Sequence, residues 1–460
     1  LVDCVTLDFD GYDDYVDLGN NYTGSFFLEA WIMPFDRPLP EGGMTDASKG
    51  TIFSTPGFEL SIENLPDFVV PNNRWYHIAV SSNGSTLYID GVNAGSISVN
   101  TSGTNTAAIG ARYSASTKTA THHFSGWIEE VRIWNTAPSE KEIRFMMNQR
   151  LKLNSSNQVV SPIEGEVVPN RTVDGSYYTA NGFNLDEDGV SFYDQTAADL
   201  AGYYRLYSND PDPDNKLPGY FLDVLKPLNG LTPNHANAAN PGRMVNIETD
   251  QENTSPTPYF SYAEGSTWTD INTWARPEVW DAPNSLGYDN NPIDWNIARI
   301  NHTFESNGAI TMLGLLSETS SKELTINASN SITISHYLYL DGSIDLQGES
   351  QLLQNHGSIL ANESAGFVEI DQQGRMSSFN YNYWTSPVST QGFSNNSGYR
   401  LVDVLMDGTN AENPTGINWR TGYFDADGAR TSPITITDAW IWDFRGGDAD
   451  IYGDWLFMGN

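Results

Sequence analysis

FSGWIEEVRIWNTAPSEKEI, residues 124–143, reads as one strand running into one helix. Successive side chains alternate across a strand. A regular strand therefore places Trp127, Glu129, Val131 and Ile133 on one face, with Ile128, Glu130, Arg132 and Trp134 on the other. If Val131 and Ile133 enter a core, Glu129 enters with them, and a buried carboxylate needs a partner. Downstream, Ser139 and Glu142 have the spacing of a capping box. Ile143, Met146, Met147 and Leu151 give the helix an apolar stripe for docking.

The preceding sequence supplies the rest of a sandwich. CVTLDFDGYDDYVDLG (residues 4–19) alternates Val5, Leu7 and Phe9 with Thr6, Asp8 and Asp10, and FFLEAWIMP (26–34) is a second strand of this kind. In NRWYHIAVSSNGSTLYIDGVNAGSI (73–97), Asn83-Gly84 and Asp90-Gly91 supply the positive φ angles of tight hairpin turns. Short strands separated by turns, with no helical pattern before residue 139, predict a two-sheet β-sandwich.

Composition agrees. The chain has 460 residues, room for about three domains, with 12% aromatic residues and 40 glycines. Lys and Arg number 23 against 58 Asp and Glu, a net charge of −35. Such a chain is repelled by nucleic acid and by anionic lipid, whereas it suits divalent cations. Cys4, the one cysteine, excludes an internal disulfide and a cysteine-built zinc site. No apolar run is long enough to span a membrane, so direct membrane insertion is not expected. The chain opens without a signal-peptide pattern and ends in YGDWLFMGN; it reads as a piece of something longer.

LDFDGYDDYVDLG, FFLEAWI, RWYHIAVSSNGSTLYIDG and FSGWIEEVRIWNTAPSEKEI, in this order over residues 3–150, resemble the laminin-G-like (concanavalin A-like) jelly-roll domain of bacterial surface proteins. The resemblance implies first and last strands lying side by side, a structural Ca²⁺ in many members, and carbohydrate binding or adhesion. It also brings DFDGYDD near Glu129. Asp8, Asp10, Asp13, Asp14 and Glu129 are then the candidate ligands, since hard cations take several carboxylate oxygens. The residues leave a second reading open, in which Glu129 accepts hydrogen bonds from the turn and the aspartates are solvated. His77 reads as an ordinary strand residue, and His122 and His123, being adjacent, point to opposite faces.

Residues 154–260 change character, with Pro, Asn, Asp and Gly frequent, and read as a connector in which DLAGYYRLY adds a strand to a neighbouring sheet. Asp210, Asp212 and Asp214 alternate as in a calcium loop, but Asn215 stands at the turn glycine and Phe221 at the bidentate Glu, so a solvated linker is expected. From 261 to 390, LTI, SITI, LYLDGSIDL and GFVEI suggest rungs of an elongated parallel β-helix-like stack. Residues 391–460 read as a C-terminal β region, truncated. STWTDINTWARPEVWDAPNS, PIDWNIARINHTF and NYNYWTSPVS resemble segments found beside laminin-G-like domains in large surface proteins of gliding bacteria exported by the type 9 system. That resemblance implies a secreted, cell-surface setting with secretion or surface machinery as a partner.

Catalytic residues are not expected. The nearest string to the E-x-D-x-x-E of jelly-roll glycoside hydrolases, EIDQQG from Glu369, has Gly374 in place of the second Glu and lies outside the sandwich. No nucleophile elbow, P-loop or H-E-x-x-H occurs. The expected class is all-β: a two-sheet jelly roll over 1–153, an irregular connector, then an elongated β stack. The expected function is a surface adhesin segment binding glycan or another surface. A ligand-free spacer and a carbohydrate-active enzyme or its accessory module are the alternatives.

Overall fold

The computed structural model describes residues 5–151 except 20, 68–72 and 102–104; residues 168, 199–208, 221–222 and 241–247; residues 250–374 except 328 and 356–357; and residues 382, 401–411, 413–422, 432–444, 447 and 451–457. The first part is a sandwich built from β1 (Val5–Asp10), β2 (Tyr15–Asp17), β3 (Phe27–Pro34), β4 (Thr51–Thr55), β5 (Phe58–Ser61), β6 (Tyr76–Ser81), β7 (Leu87–Ile89), β8 (Val92–Gly95), β9 (Ala108–Ile109), β10 (Arg112–Ser114), β11 (Thr119–Thr121) and β12 (Ser125–Trp134). One sheet runs β1-β12-β3-β6-β7-β8, all antiparallel, with first and last strands side by side. The other contains β2-β9-β4-β5. Both expected hairpin turns form, joining β6 to β7 and β7 to β8.

Later segments complete these sheets. β13 (Leu200–Tyr204), from DLAGYYRLY, pairs with β12, while β14 (Tyr207–Ser208) and β17 (Asp250–Gln251) pair with β1. β15 (Phe221–Leu222) and β16 (Pro241–Val245) extend the second sheet beyond β2. Helix α1 (Glu140–Met146) starts at Ser139 with the capping box expected, the Ser139 hydroxyl and Glu142 carboxylate each bonding the other's backbone N–H.

The alternation expected of β12 does not hold. Ile128 pairs with Ile32 and Glu129 with Trp31, but the next pair is Arg132 with Glu29. Glu130 and Val131 together oppose Ala30, a β-bulge, with Glu130 at φ +52°. The extra residue reverses the faces. Ile128, Val131 and Ile133 all enter the inner core with Leu28, Ala30, Ile32, Tyr76, Ile78 and Val80. Glu129, Arg132 and Trp134 share the opposite face with Glu29, Trp31 and His77. Glu129 is buried nonetheless, at 1% exposure.

The cause is the second half of the molecule. β18 (Tyr259–Phe260), β19 (Ile297–Ile300), β20 (Phe304–Ser306), β21 (Ile310–Ser317), β22 (Glu323–Ile326), β23 (Ser331–Leu340), β24 (Ser343–Leu346), β25 (Gln351–Gln354), β26 (Ile359–Leu360) and β27 (Phe367–Ile370) form a β-solenoid of about five turns. One parallel sheet runs β18-β19-β21-β23-β25, with β26 also on β23, and another β20-β22-β24-β27. Leu315, Leu324, Ile326, Ile332, Ile334, Leu338, Ile344 and Leu346 stack inside it. The solenoid packs on the outer face of the first sandwich sheet. Trp31, Met33 and Trp75 join one continuous apolar cluster with Tyr259, Trp274, Trp280 and Ala298. Phe27, Ala79 and Trp134 join another with Phe145, Met146, Ile297, Leu313 and Leu316. No helix among the described residues is long and apolar enough to cross a membrane.

Candidate functional site

The expected ligand set divides into three. Asp10, Asp13 and Asp14 converge in the turn after β1, each offering a carboxylate oxygen, all within 4.8 Å of one another. The turn is closed by its own side chains: Asp14 Oδ2 accepts from the Asp10 amide at 2.8 Å, and Asp10 Oδ1 from the Tyr12 amide at 2.7 Å. His123 Nδ1 lies 3.1 Å from the Asp14 carbonyl oxygen. Gly11 has φ +77°, and a Cβ there would lie 2.8 Å from Ser125 and from Thr45, so three loops meet at this end of the sandwich. Burial pushes the Asp14 carboxyl up to about 7; the Asp10 amide opposes this, and the charges of Asp10, Asp13 and Asp8 add to it.

Asp8 is turned away from the trio. Its two oxygens take both terminal nitrogens of Arg37 at 2.6 and 2.9 Å, and Oδ1 also accepts from Trp127 Nε1 at 2.9 Å. Glu129 is farther still. It accepts from Thr6 Oγ1 on β1, from Ser255 Oγ at 2.6 Å and from the Ser255 amide at 2.9 Å. The opening carboxylate is thus engaged with the N-terminal strand and with the segment that leads into the solenoid. Burial raises its carboxyl to about 7, against the bonds from Ser255 and the charge of Arg150. Asp210, Asp212 and Asp214 lie outside the described residues, as does Cys4.

Sequence reading missed a buried ionic cluster at the joint. Arg132, 1% exposed, is 3.5 Å from Glu29 and 2.9 Å from Glu130, and donates to the carbonyl oxygens of Met146 and Gln149. Glu29 also accepts from Trp134 Nε1 at 2.8 Å and lies 3.4 Å from His77 Nε2; Glu130 accepts from Tyr203 OH at 2.6 Å. Burial pushes the Glu29 carboxyl up, but Arg132, His77 and Trp134 outweigh it and hold it below its ordinary value. The charged residues of FLEAWI and EEVRIW were the available signal, since a strand buried on one face alone has no reason to alternate charges with Trp.

Direct bonds fix the joint's geometry. Trp31 Nε1 donates to Met147 O at 2.6 Å, Asn148 to Pro256 O at 2.7 Å, and the Trp75 amide to Val279 O at 3.0 Å. The Asp90-Gly91 turn is a docking point: Trp295 Nε1 donates to Asp90 O and Arg144 Nε to Gly91 O, both at 3.0 Å. Gly91, at φ +77°, lies so close that a Cβ would meet Trp295 at 2.7 Å.

The outer face of the second sheet carries Glu59, opposite in alternation to the core residues Phe58 and Leu60. Arg112 holds it through two bonds of 2.8 Å, with Thr51 and Asn100 completing its partners.

Residues 10–144 match the family profile described as the concanavalin A-like lectin/glucanases superfamily, of laminin-G type. These residues form a laminin-G-like, concanavalin A-like domain. No curated protein matches the chain. A solved structure from Bacteroides ovatus, provisionally described as a carbohydrate-binding protein, is 17% identical, with a TM-score of 0.26; the match covers 55% of this chain and 60% of that one. A likeness so distant says nothing of fold or ligand here.

Proposed function

We propose that the chain binds glycan through its jelly roll, with the solenoid holding that domain out from a bacterial cell surface as a segment of an adhesin. The match of residues 10–144 to a lectin and glucanase family carries the reading. The joint supports it, because a binding domain bonded to its stalk holds a fixed orientation toward a surface. The secreted, type 9-exported setting rests on the sequence resemblance of residues 240–460.

Ca²⁺ at Asp10, Asp13 and Asp14 belongs to the same proposal. The donor set fits a hard cation: three carboxylates converge and one, Asp14, is buried, its carboxyl raised by that burial and further by the charges of Asp10, Asp13 and Asp8. An ion there would neutralise the turn and order three loops. Asp8 and Glu129 are committed to other partners and stand outside this set.

A glycan array probed with the full chain, with and without chelator, tests the reading. Binding to a defined group of glycans is expected, weakened by chelator and restored by calcium but not by magnesium. Silence across the array would contradict it. One observation bears on catalysis as a second reading: Asp14, with its raised carboxyl, lies beside Asp10, their nearest carboxylate oxygens within 4.8 Å of one another. Release of reducing ends, abolished by Asp14→Asn, would establish that alternative.

A further inference from the structure

C-terminal to the solenoid, the strands Trp442–Phe444 and Trp455–Phe457 pair antiparallel as a two-stranded ribbon. Trp442 lies opposite Phe457, and Phe444 opposite Trp455. Alternation then places all four rings on one face, with Asp443 and Leu456 on the other. The rings meet across the ribbon, Trp442 with Phe457 at 5.6 Å and 68°, Phe444 with Trp455 at 5.0 Å and 41°. This face is open. Phe444 is 41% exposed, Phe457 50% and nearby Trp440 62%, and no apolar cluster among the described residues includes any of them. A contiguous exposed apolar surface of this kind marks a contact site.

We propose that this aromatic face binds the surface of a neutral polysaccharide. The proposal goes beyond the jelly-roll reading, since it stands on the ribbon alone. Charge narrows the partner. Residues 432–457 carry five aspartates against one cation, Arg445, a local charge of −4 in a chain of −35. A second copy of the chain, an anionic lipid surface and an acidic polysaccharide are all repelled. A neutral polysaccharide is not, and the weakly positive C–H groups on its sugar rings match the negative faces of the aromatics. The two ring pairs stand one strand repeat apart, about 7 Å, so one extended polymer can touch both. Rings already paired across the strands lose little freedom on contact.

The test is retention of the full chain on cellulose, on chitin and on a polyuronate gel, for the wild type, Phe457→Ala, Phe444→Leu and Leu456→Ala. The wild type should be held by at least one neutral matrix and not by the polyuronate. Phe457→Ala should weaken that binding at least tenfold. Phe444→Leu keeps the apolar volume without the ring; weaker binding with unchanged amide hydrogen exchange over residues 442–457 separates ring contact from folding. Leu456→Ala, on the opposite face, should bind as the wild type does. Passage of the wild type through both neutral matrices, preference for the polyuronate, or full retention of folded Phe444→Leu would overturn the proposal. None of these outcomes touches binding of soluble glycans by the jelly roll, which the array decides separately.

Discussion

β3 of the sandwich and β23 of the solenoid invert the usual relation between strand direction and burial. Antiparallel strands commonly show one face to water, and parallel strands are commonly covered on both. Here antiparallel β3, FLEAWIMP, is buried at all eight positions, whereas parallel β23, SITISHYLYL, alternates half-buried and buried residues along its length. Burial follows what is docked on a sheet, and the first sheet of this sandwich has two partners. Its inner face meets the second sheet; its outer face meets the solenoid. Charged residues are tolerated on that outer face because each is answered there.

The difference can be broken most severely at Arg132. Its removal leaves Glu29 and Glu130 buried without their cation, so Arg132→Met should cost about 3–5 kcal/mol in denaturant unfolding of the full chain. Breaking a salt bridge between exposed residues elsewhere, such as Lys49 with Asp46, should leave the unfolding midpoint almost unchanged.

The next effect is one of pH. Glu129 and Asp14 have folded carboxyls near 7, above their ordinary values of 4.5 and 3.8. The folded state then binds these protons more tightly than the unfolded state. Their contribution is fully present below about pH 4 and is lost as pH rises through 7. These two groups should therefore make the melting temperature fall between pH 5 and pH 8, with a total effect on the order of a few kcal/mol. Glu129→Gln should flatten the fall, and saturating Ca²⁺ should reduce the Asp14 part by favouring its ionised form. A profile unchanged by Glu129→Gln would show that its carboxylate is ionised throughout and fully supported by Thr6 and Ser255.

Smaller effects are expected at single contacts across the joint. Gly91→Ala places a Cβ at positive φ against Trp295 and should cost roughly 1–3 kcal/mol. Asn83-Gly84 offers a control for turn strain at a hairpin where, among the described residues, none of the solenoid is bonded. Ser255→Ala removes one of the three bonds to Glu129 and should cost about 1 kcal/mol, since the Ser255 amide still donates.

Much of the sandwich was readable from the chain. Its turns and the capped helix depend on local residues such as Asp90-Gly91 and Ser139/Glu142, whereas the pairing of first and last strands, between residues as distant as Asp8 and Trp127, was expected from the family resemblance. The solenoid was readable as repeated short strands. The bulge at Glu130 was not, because nothing in WIEEVRIW distinguishes two residues opposing Ala30 from one. That single insertion decided which face Glu129 occupies, and its partner Ser255 lies 126 residues away in a segment without periodicity. The acid turn was legible as a group; Asp8 was not separable from it, since its pairing with Arg37 depends on how the loop after β3 folds back.

The jelly roll and the solenoid share apolar clusters across their joint. Native-state hydrogen exchange on the full chain, followed in rising denaturant, tests it most directly. Peptides covering β3 and β6 should open with the same free energy as those covering β21 and β23, and Arg132→Met should lower both sets together. Opening of β3 and β6 at a distinct free energy, with the solenoid strands unmoved by Arg132→Met, would contradict the shared core.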